Sequence, residues 1–153
     1  MANAPYSYLL EETLLASINA QSWASGVTLL GSMGGEITNF PAIRVSAPKG
    51  TEEPPNSGNY AFDVDVEVFG RIDPDNDGTY ATAVTNHVTL AGNVQEWITG
   101  TLNTSTFSSS VSGFSNTLTA YNVRLESFDR DIDFIEGVFQ DTFTIEVYLK
   151  EAA

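Results

Sequence analysis

The chain of 153 residues contains no cysteine, which excludes disulfide bonds, thiolate metal sites and cysteine nucleophiles. This suits a reducing cytosol without proving one. Basic residues are also scarce, because 6 Lys and Arg stand against 20 Asp and Glu and leave a formal net charge of −14. Binding to phosphate backbones requires clustered cations that release counterions. Here the basic residues are scattered: Arg44, Lys49, Arg71, Arg124, Arg130 and Lys150. The composition therefore disfavours binding to nucleic acid or to an anionic membrane, whereas repulsion of nucleic acid is chemically easy.

Long apolar runs are missing as well. No segment approaches the roughly 20 apolar residues that a membrane-spanning helix needs. The segment Met1–Ala20 carries two glutamates and no Lys or Arg, so it lacks the pattern of a secretory signal. The length fits a single domain comprising residues 1–153.

Two stretches alternate acidic and apolar residues with a period of two. Successive side chains of a β-strand point to opposite faces of the sheet. In the stretch Phe62–Val68, one face is therefore apolar and the other carries Asp63, Asp65 and Glu67. The stretch Asp129–Phe134 repeats the pattern, with carboxylates at Asp129, Asp131 and Asp133. The sequence predicts two ordered rows of negative charge.

Two segments have helical periodicity. In Tyr8–Ala20, three apolar residues follow at intervals of four along one stripe. Ser7 is a suitable N-cap, and Glu11 and Glu12 favour the positive end of the helix dipole. The segment Ala81–Ile98 shows similar spacing, and Gly100 is a natural stop.

Strands are predicted between and after the helices. Four strands are expected: Asn39–Ser46, Tyr60–Ile72, Ala120–Ile135 and Val138–Leu149, the last two joined by Glu136-Gly137 as a hairpin. Near Ser127–Arg130 the apolar residues switch from one set of alternate positions to the other, and a β-bulge there accounts for the switch. Residues 47–59 and 99–119 are predicted to be protruding loops. The order predicts an α+β fold, in which an N-terminal helix and a second helix pack on one face of an antiparallel sheet that ends in a long C-terminal hairpin.

One segment resembles a metal-binding loop. Asp73, Asp75 and Asp77 are followed by Gly78, which matches the opening of a calcium loop. The twelfth position should provide a bidentate Glu, but Val84 stands there. A turn between strand and helix is the favoured interpretation, and cation binding by these three aspartates stays open.

No catalytic constellation is recognisable. Paired carboxylates act as acid and base only in different environments, and the residues of each acidic row look alike. His87 is the only histidine, and it lies beside an apolar helical stripe, so a packing role is favoured. We therefore predict no enzyme, no catalytic, cofactor-binding or metal-ligating residues, and no cofactor.

The layout resembles the tail-terminator and neck (head-to-tail joining) proteins of long-tailed bacteriophages. The features that carry the resemblance span most of the chain: the N-terminal helix Tyr8–Ala20, the strand Phe40–Val45, the protruding loop before Tyr60–Val64, and the closing pair that ends with Gly137–Leu149. The resemblance implies a structural virion protein located in the tail or neck and assembled in the host cytoplasm.

The same resemblance implies a homo-oligomeric ring, typically a hexamer. Such a ring contacts tail tube and neck proteins, joins tail to head and lets DNA pass without adhesion or contact with a membrane. A wall lined by carboxylates would repel phosphate. The rows Asp63, Asp65, Glu67 and Asp129, Asp131, Asp133 are therefore candidate lumen-facing residues.

Two interpretations from other classes stay open. One is a carbohydrate-binding or adhesive β-rich module, assisted by calcium at Asp73, Asp75 and Asp77. The other is a small hydrolase, which requires two carboxylates in one pocket with widely separated pKa values.

Overall fold

The computed structural model describes residues 2–72, 80–104, 106–133 and 135–151. The elements in chain order are α1 (Tyr6–Asn19), β1 (Thr28–Gly31), β2 (Ala42–Glu52), β3 (Asn59–Arg71), α2 (Tyr80–Glu96), β4 (Phe107–Ser109), β5 (Leu118–Asp133) and β6 (Val138–Glu151). Short helical turns occupy Ser22–Ala24, Trp97–Thr101 and Leu102–Thr104. None of the described helices is long and apolar enough to cross a membrane.

The six strands form one sheet in the order β1-β2-β3-β6-β5-β4. Every pair is antiparallel except β1 with β2, which is parallel. Both helices contribute to one hydrophobic core against one face of this sheet. The α+β fold and the long C-terminal hairpin are thus confirmed. The opposite face of the sheet, which we call the open face, carries the alternate residues of each strand.

The core confirms the apolar stripe predicted for α1. Leu10, Leu14 and Ile18 of α1 have 0% exposure. They share the core with the valines of β3 and with Ile145, Val147 and Leu149 of β6. Trp97 is 2% exposed and donates its indole N–H to Ser17 Oγ at 3.0 Å. This hydrogen bond ties the end of the second helical segment to α1.

The start of α1 differs from the prediction. The helix begins at Tyr6 with Pro5 at the N-cap position and no side-chain cap, so Ser7 is not the cap. No acidic residue lies in the first turn. Glu11 instead faces inward, is 3% exposed, and accepts hydrogen bonds from Ser32 N–H at 3.1 Å, Ser32 Oγ–H at 2.9 Å and Ala47 N–H at 2.8 Å. Its carboxylate therefore joins α1 to the residue that follows β1 and to the middle of β2.

The predicted loop 47–59 is wrong in its first half. Strand β2 continues to Glu52 and pairs with β3 up to Tyr60, so only residues 53–58 form the turn. The register shifts between Ser46 and Lys49, and β1 pairs with β2 only as far as Val45. The proline at position 48 therefore lies at a bulge on a free edge, where its missing N–H breaks no ladder bond.

The segment 99–119 is more ordered than the predicted loop. It contains the two helical turns after α2 and strand β4, which pairs with Leu118–Ala120 of β5. The register of β5 against β6 shifts between Leu125 and Ser127, just before the predicted bulge, and again between Ala120 and Asn122. Strand β1 was not predicted, because four half-buried residues are too short for a periodic pattern.

Candidate functional site

The strand register places both predicted acidic rows on the open face. On β3 and β6, Asp65 lies opposite Thr144 and Glu67 opposite Thr142. On the other side of β6, Asp129 also lies opposite Thr142. Directly paired residues of an antiparallel sheet share a face. The two rows, Asp63, Asp65, Glu67 and Asp129, Asp131, Asp133, therefore face the same way, separated by the single strand β6.

Neutral side chains of β6 hold the β3 row in place. Gln140 Nε2–H donates to Glu67 Oε2 at 2.8 Å, and Thr144 Oγ1–H donates to Asp65 Oδ1 at 2.8 Å. Partial burial raises the pKa of Glu67, and the neighbouring Asp65 carboxylate raises it further. The raised pKa of Glu67 shows that its ionisation is disfavoured where the sheet places it beside a second carboxylate.

Two glutamates extend this acidic surface. Carboxylate oxygens of Asp63, Glu126 and Glu146 lie within 4.8 Å of one another. Burial raises the pKa of Glu126, and so do the charges of Glu146 and Asp63. The three carboxylates could hold a cation, but Arg124 already reaches Glu146 at 3.0 Å and Glu126 at 3.6 Å. The hydroxyl of Tyr148 also donates to Glu146.

Sequence reasoning missed these two glutamates for different reasons. Glu126 lies in the register shift of β5, where alternation no longer assigns a face. Glu146 is the one carboxylate among the outward residues of β6, so no acidic row was visible. Opposite-charge pairing across the sheet, Arg124 with Glu146, is a signal only once the register is known.

The open face is acidic as a whole. Its carboxylates in the described residues are Asp63, Asp65, Glu67, Glu126, Asp129, Asp131, Asp133 and Glu146. The strand register places five basic side chains on the same face: Arg44, Lys49, Arg71, Arg124 and Lys150. Alternate residues on a strand are roughly 7 Å apart and next-nearest strands roughly 10 Å. These spacings are comparable with the Debye length of about 8 Å at physiological ionic strength, so the carboxylates repel one another.

A separate ionic group lies on the helix-covered face. Asp141 is 8% exposed and bonds His87 Nε2 at 3.1 Å. Arg130 donates to it twice, from Nε at 2.8 Å and from a terminal nitrogen at 2.9 Å. Burial would raise the pKa of Asp141, but its hydrogen bonds with Arg130 and His87 outweigh burial and lower it.

His87 is therefore more than a packing residue. Its ring is buried and lies 5.5 Å from the centre of the Phe139 ring. With Nε2 bonded to Asp141, its Nδ1 has no hydrogen-bond partner within the described residues. A Cβ atom at position 70 would lie 2.7 Å from Nδ1, so the imidazole ring fits here because residue 70 is a glycine. We assign this arrangement to the docking of α2 onto the sheet.

The possible cation loop at Asp73, Asp75 and Asp77 lies outside the described residues.

Comparison with known proteins identifies the fold. No protein-family model matches this chain, and no curated protein matches it either. A solved structure described as the virion of a native gene transfer agent (GTA) particle contains a chain of similar fold, with a TM-score of 0.50 and 7% identity. The match covers 94% of this chain and 95% of that chain. The arrangement of helices and sheet is therefore shared over almost the whole length.

Proposed function

We propose that this protein is a non-enzymatic structural subunit of a virion, which forms a closed ring at the tail end or neck of a long-tailed phage. The ring, typically a hexamer, joins the tail to the head, contacts tail tube and neck proteins, and lets DNA pass. The open face lines the lumen. The fold shared with a chain of a virion particle supports the structural role.

The observation that carries the proposal is the common direction of the two acidic rows. Two rows on opposite faces would leave at most one of them toward any channel. Here both rows, together with Glu126 and Glu146, lie on the face that no helix covers. Copies arranged around an axis would therefore present a band on which carboxylates outnumber basic side chains.

Such a band matches the physical demands on a DNA channel. Clustered Lys and Arg bind DNA strongly because they release counterions from its phosphates. A channel wall that bound DNA in this way would slow its passage. A wall of ordered carboxylates keeps the polyanion away from the surface. The hydrogen bonds from Gln140 and Thr144 hold two of these carboxylates in defined positions.

Exposed apolar side chains provide contact surfaces for partners. Phe128 is 72% exposed and Ile135 is 94% exposed, and both lie near the free end of the β5–β6 hairpin. Beyond Ala120, β5 has no partner strand on its β4 side within the described residues. Apolar residues beside a free strand edge favour association with another protein.

Charge reversal on the open face tests the lumen. We expect the variant Asp65→Lys with Asp131→Lys to assemble as the wild type does and to gain binding to double-stranded DNA, measured by fluorescence anisotropy at low salt. The control reverses two acidic residues on the helices that cover the opposite face, Glu12→Lys on α1 and Glu96→Lys on α2. Equal DNA binding by the two variants, or a native mass that shows only monomer for the wild type, would contradict the proposal.

A further inference from the structure

A cleft of about 860 Å³ opens between α2 and the end of β3. Its walls include Trp23 from the turn after α1, Phe40 from the segment before β2, Gly70 at the end of β3, and Asn86 and Asn93 of α2. Strand β2 begins at Ala42, opposite Phe69, so the last residues of β3 have β6 partners but none on the β2 side. The cleft lies where this part of the sheet ladder ends.

The walls of the cleft provide unused hydrogen-bonding groups. Within the described residues, the side chains of Asn39, Asn86, Thr89 and Asn93 have no hydrogen-bond partner, although all four line the cleft. Among the described residues of the lining there is no Asp or Glu, and Arg71 is the one Lys or Arg. In a chain of net charge −14, Arg71 gives a carboxylate of a second copy a partner of opposite charge at this surface.

An exposed turn that begins with Glu53 lies at the other end of the same strands. Residues 53–58, which we call the tip, join β2 to β3 and are exposed except for half-buried Gly58. The carboxylate of Glu52 accepts the N–H groups of Asn56 at 2.9 Å and Gly58 at 3.0 Å, which lowers its pKa. Glu53 N–H donates to Asn59 C=O at 2.9 Å. The tip is therefore ordered before it meets a partner, which reduces the entropy lost on binding.

The positions of the two features fix the kind of contact that they can make. Eleven residues of β2 separate the cleft from the tip, which corresponds to roughly 35 Å of strand. A protrusion at one end and a recess at the other cannot meet within one molecule. Between two copies they form a head-to-tail contact, which repeats around an axis and closes a ring.

We propose that the tip of one subunit inserts into the cleft of the next copy. Glu53 brings its negative charge to Arg71 of the cleft, and the free amides of α2 bond the exposed backbone of the tip. This inference rests on the proposed ring and names its repeating interface.

Disulfide trapping tests the contact, because the natural chain has no cysteine. One variant carries Pro55→Cys in the tip, and a second carries Asn86→Cys in the cleft. Mixed and oxidised, they should form a disulfide-linked heterodimer on a non-reducing gel. The control replaces Asn86→Cys by Thr85→Cys, an exposed neighbour on α2 that does not line the cleft. We expect crosslinking at least tenfold faster for the cleft pair, because a disulfide needs Cα atoms within about 7 Å.

Replacement of residues 54–57 by Asn-Gly gives a second readout. Circular dichroism should be unchanged, whereas the oligomer seen by native mass spectrometry should be lost. If the wild type assembles but the cleft pair and the control pair crosslink at equal rates, this inference is overturned and the proposed ring stands. A wild type that is strictly monomeric would overturn the proposed ring and this interface together.

Discussion

Glu11→Gln should destabilise the fold strongly, although it changes one atom of one side chain. The carboxylate is buried and accepts three hydrogen bonds, two from Ser32 and one from the N–H of Ala47. Glutamine has the same shape but only one acceptor oxygen. Its NH₂ group must therefore point at a donor on β1 or on β2. One buried N–H is left without a partner, and the remaining bonds lose the help of the charge.

The magnitude follows from these bonds. A hydrogen bond to a charged group contributes about 1.5–3 kcal/mol, and an unsatisfied buried donor costs about 1–3 kcal/mol. Since some of the interaction with Ser32 survives, we expect a net loss of about 2–4 kcal/mol in the free energy of unfolding. For a chain of this size, that loss corresponds to a fall in Tm of roughly 5–15 °C.

The assay is urea unfolding followed by tryptophan fluorescence, with Glu12→Gln as the matched control. Glu12 is the next residue of α1, is half-buried, and makes no side-chain hydrogen bond within the described residues. Its substitution should change the free energy of unfolding by less than about 0.5 kcal/mol. An equally small effect at Glu11 would refute the reasoning. A gain in stability would show that the cost of burying the charge exceeds the contribution of its hydrogen bonds.

Three further predictions concern the charged groups. Raising NaCl from 0.05 to 2 M should raise Tm by roughly 5 °C in calorimetry, because salt screens repulsion on the open face; a fall in Tm would contradict this. The free energy of unfolding in urea should be largest between about pH 4 and 5. The raised pKa of Glu67 stabilises the fold below pH 4.5, and this contribution is lost as the pH rises through the folded pKa. The lowered pKa of Asp141 stabilises the fold above pH 3.8, and this contribution is lost as the pH falls through the folded pKa. A maximum at neutral pH would argue against it. Asp141→Ala should cost about 2–3 kcal/mol by chemical denaturation, because His87 loses its buried partner, whereas Asp131→Ala, on the exposed face of the same hairpin, should cost less than about 0.5 kcal/mol.

The acidic rows could be predicted because a period of two is a strictly local property. Each strand assigns its own carboxylates to one side, whatever its neighbours do. The common direction of the two rows could not be predicted, because it depends on how β3 and β5 pair with β6. The register shift at Glu126 also reverses the parity of β5 before the second row begins.

The errors in the loops arise from residues whose local and tertiary roles differ. Gly50 belongs to the segment 47–59 that the sequence predicts to be a loop, yet it lies within β2, where a Cβ atom would come within 2.5 Å of the Phe62 ring. The proline at position 48 belongs to the same segment, yet it lies at a bulge where no ladder bond is needed. In both cases a long-range contact decides the role of the residue.

Buried polar partners were equally invisible. His87 and Asp141 are 54 residues apart in sequence, and Glu11 bonds residues 21 and 36 positions away. Helical position alone placed Glu11 in the field of the helix dipole. Its inward orientation follows from the packing of α1 on β1 and β2, which no local pattern encodes.

The most direct test of the central claim is electron cryo-microscopy of the purified assembly. The account predicts a closed ring whose channel is lined by the open face, with Asp65, Glu67, Asp129 and Asp131 of each copy directed toward the axis. A ring that carries these four residues on its outer wall would contradict the account, and so would a protein that remains monomeric at the concentrations used.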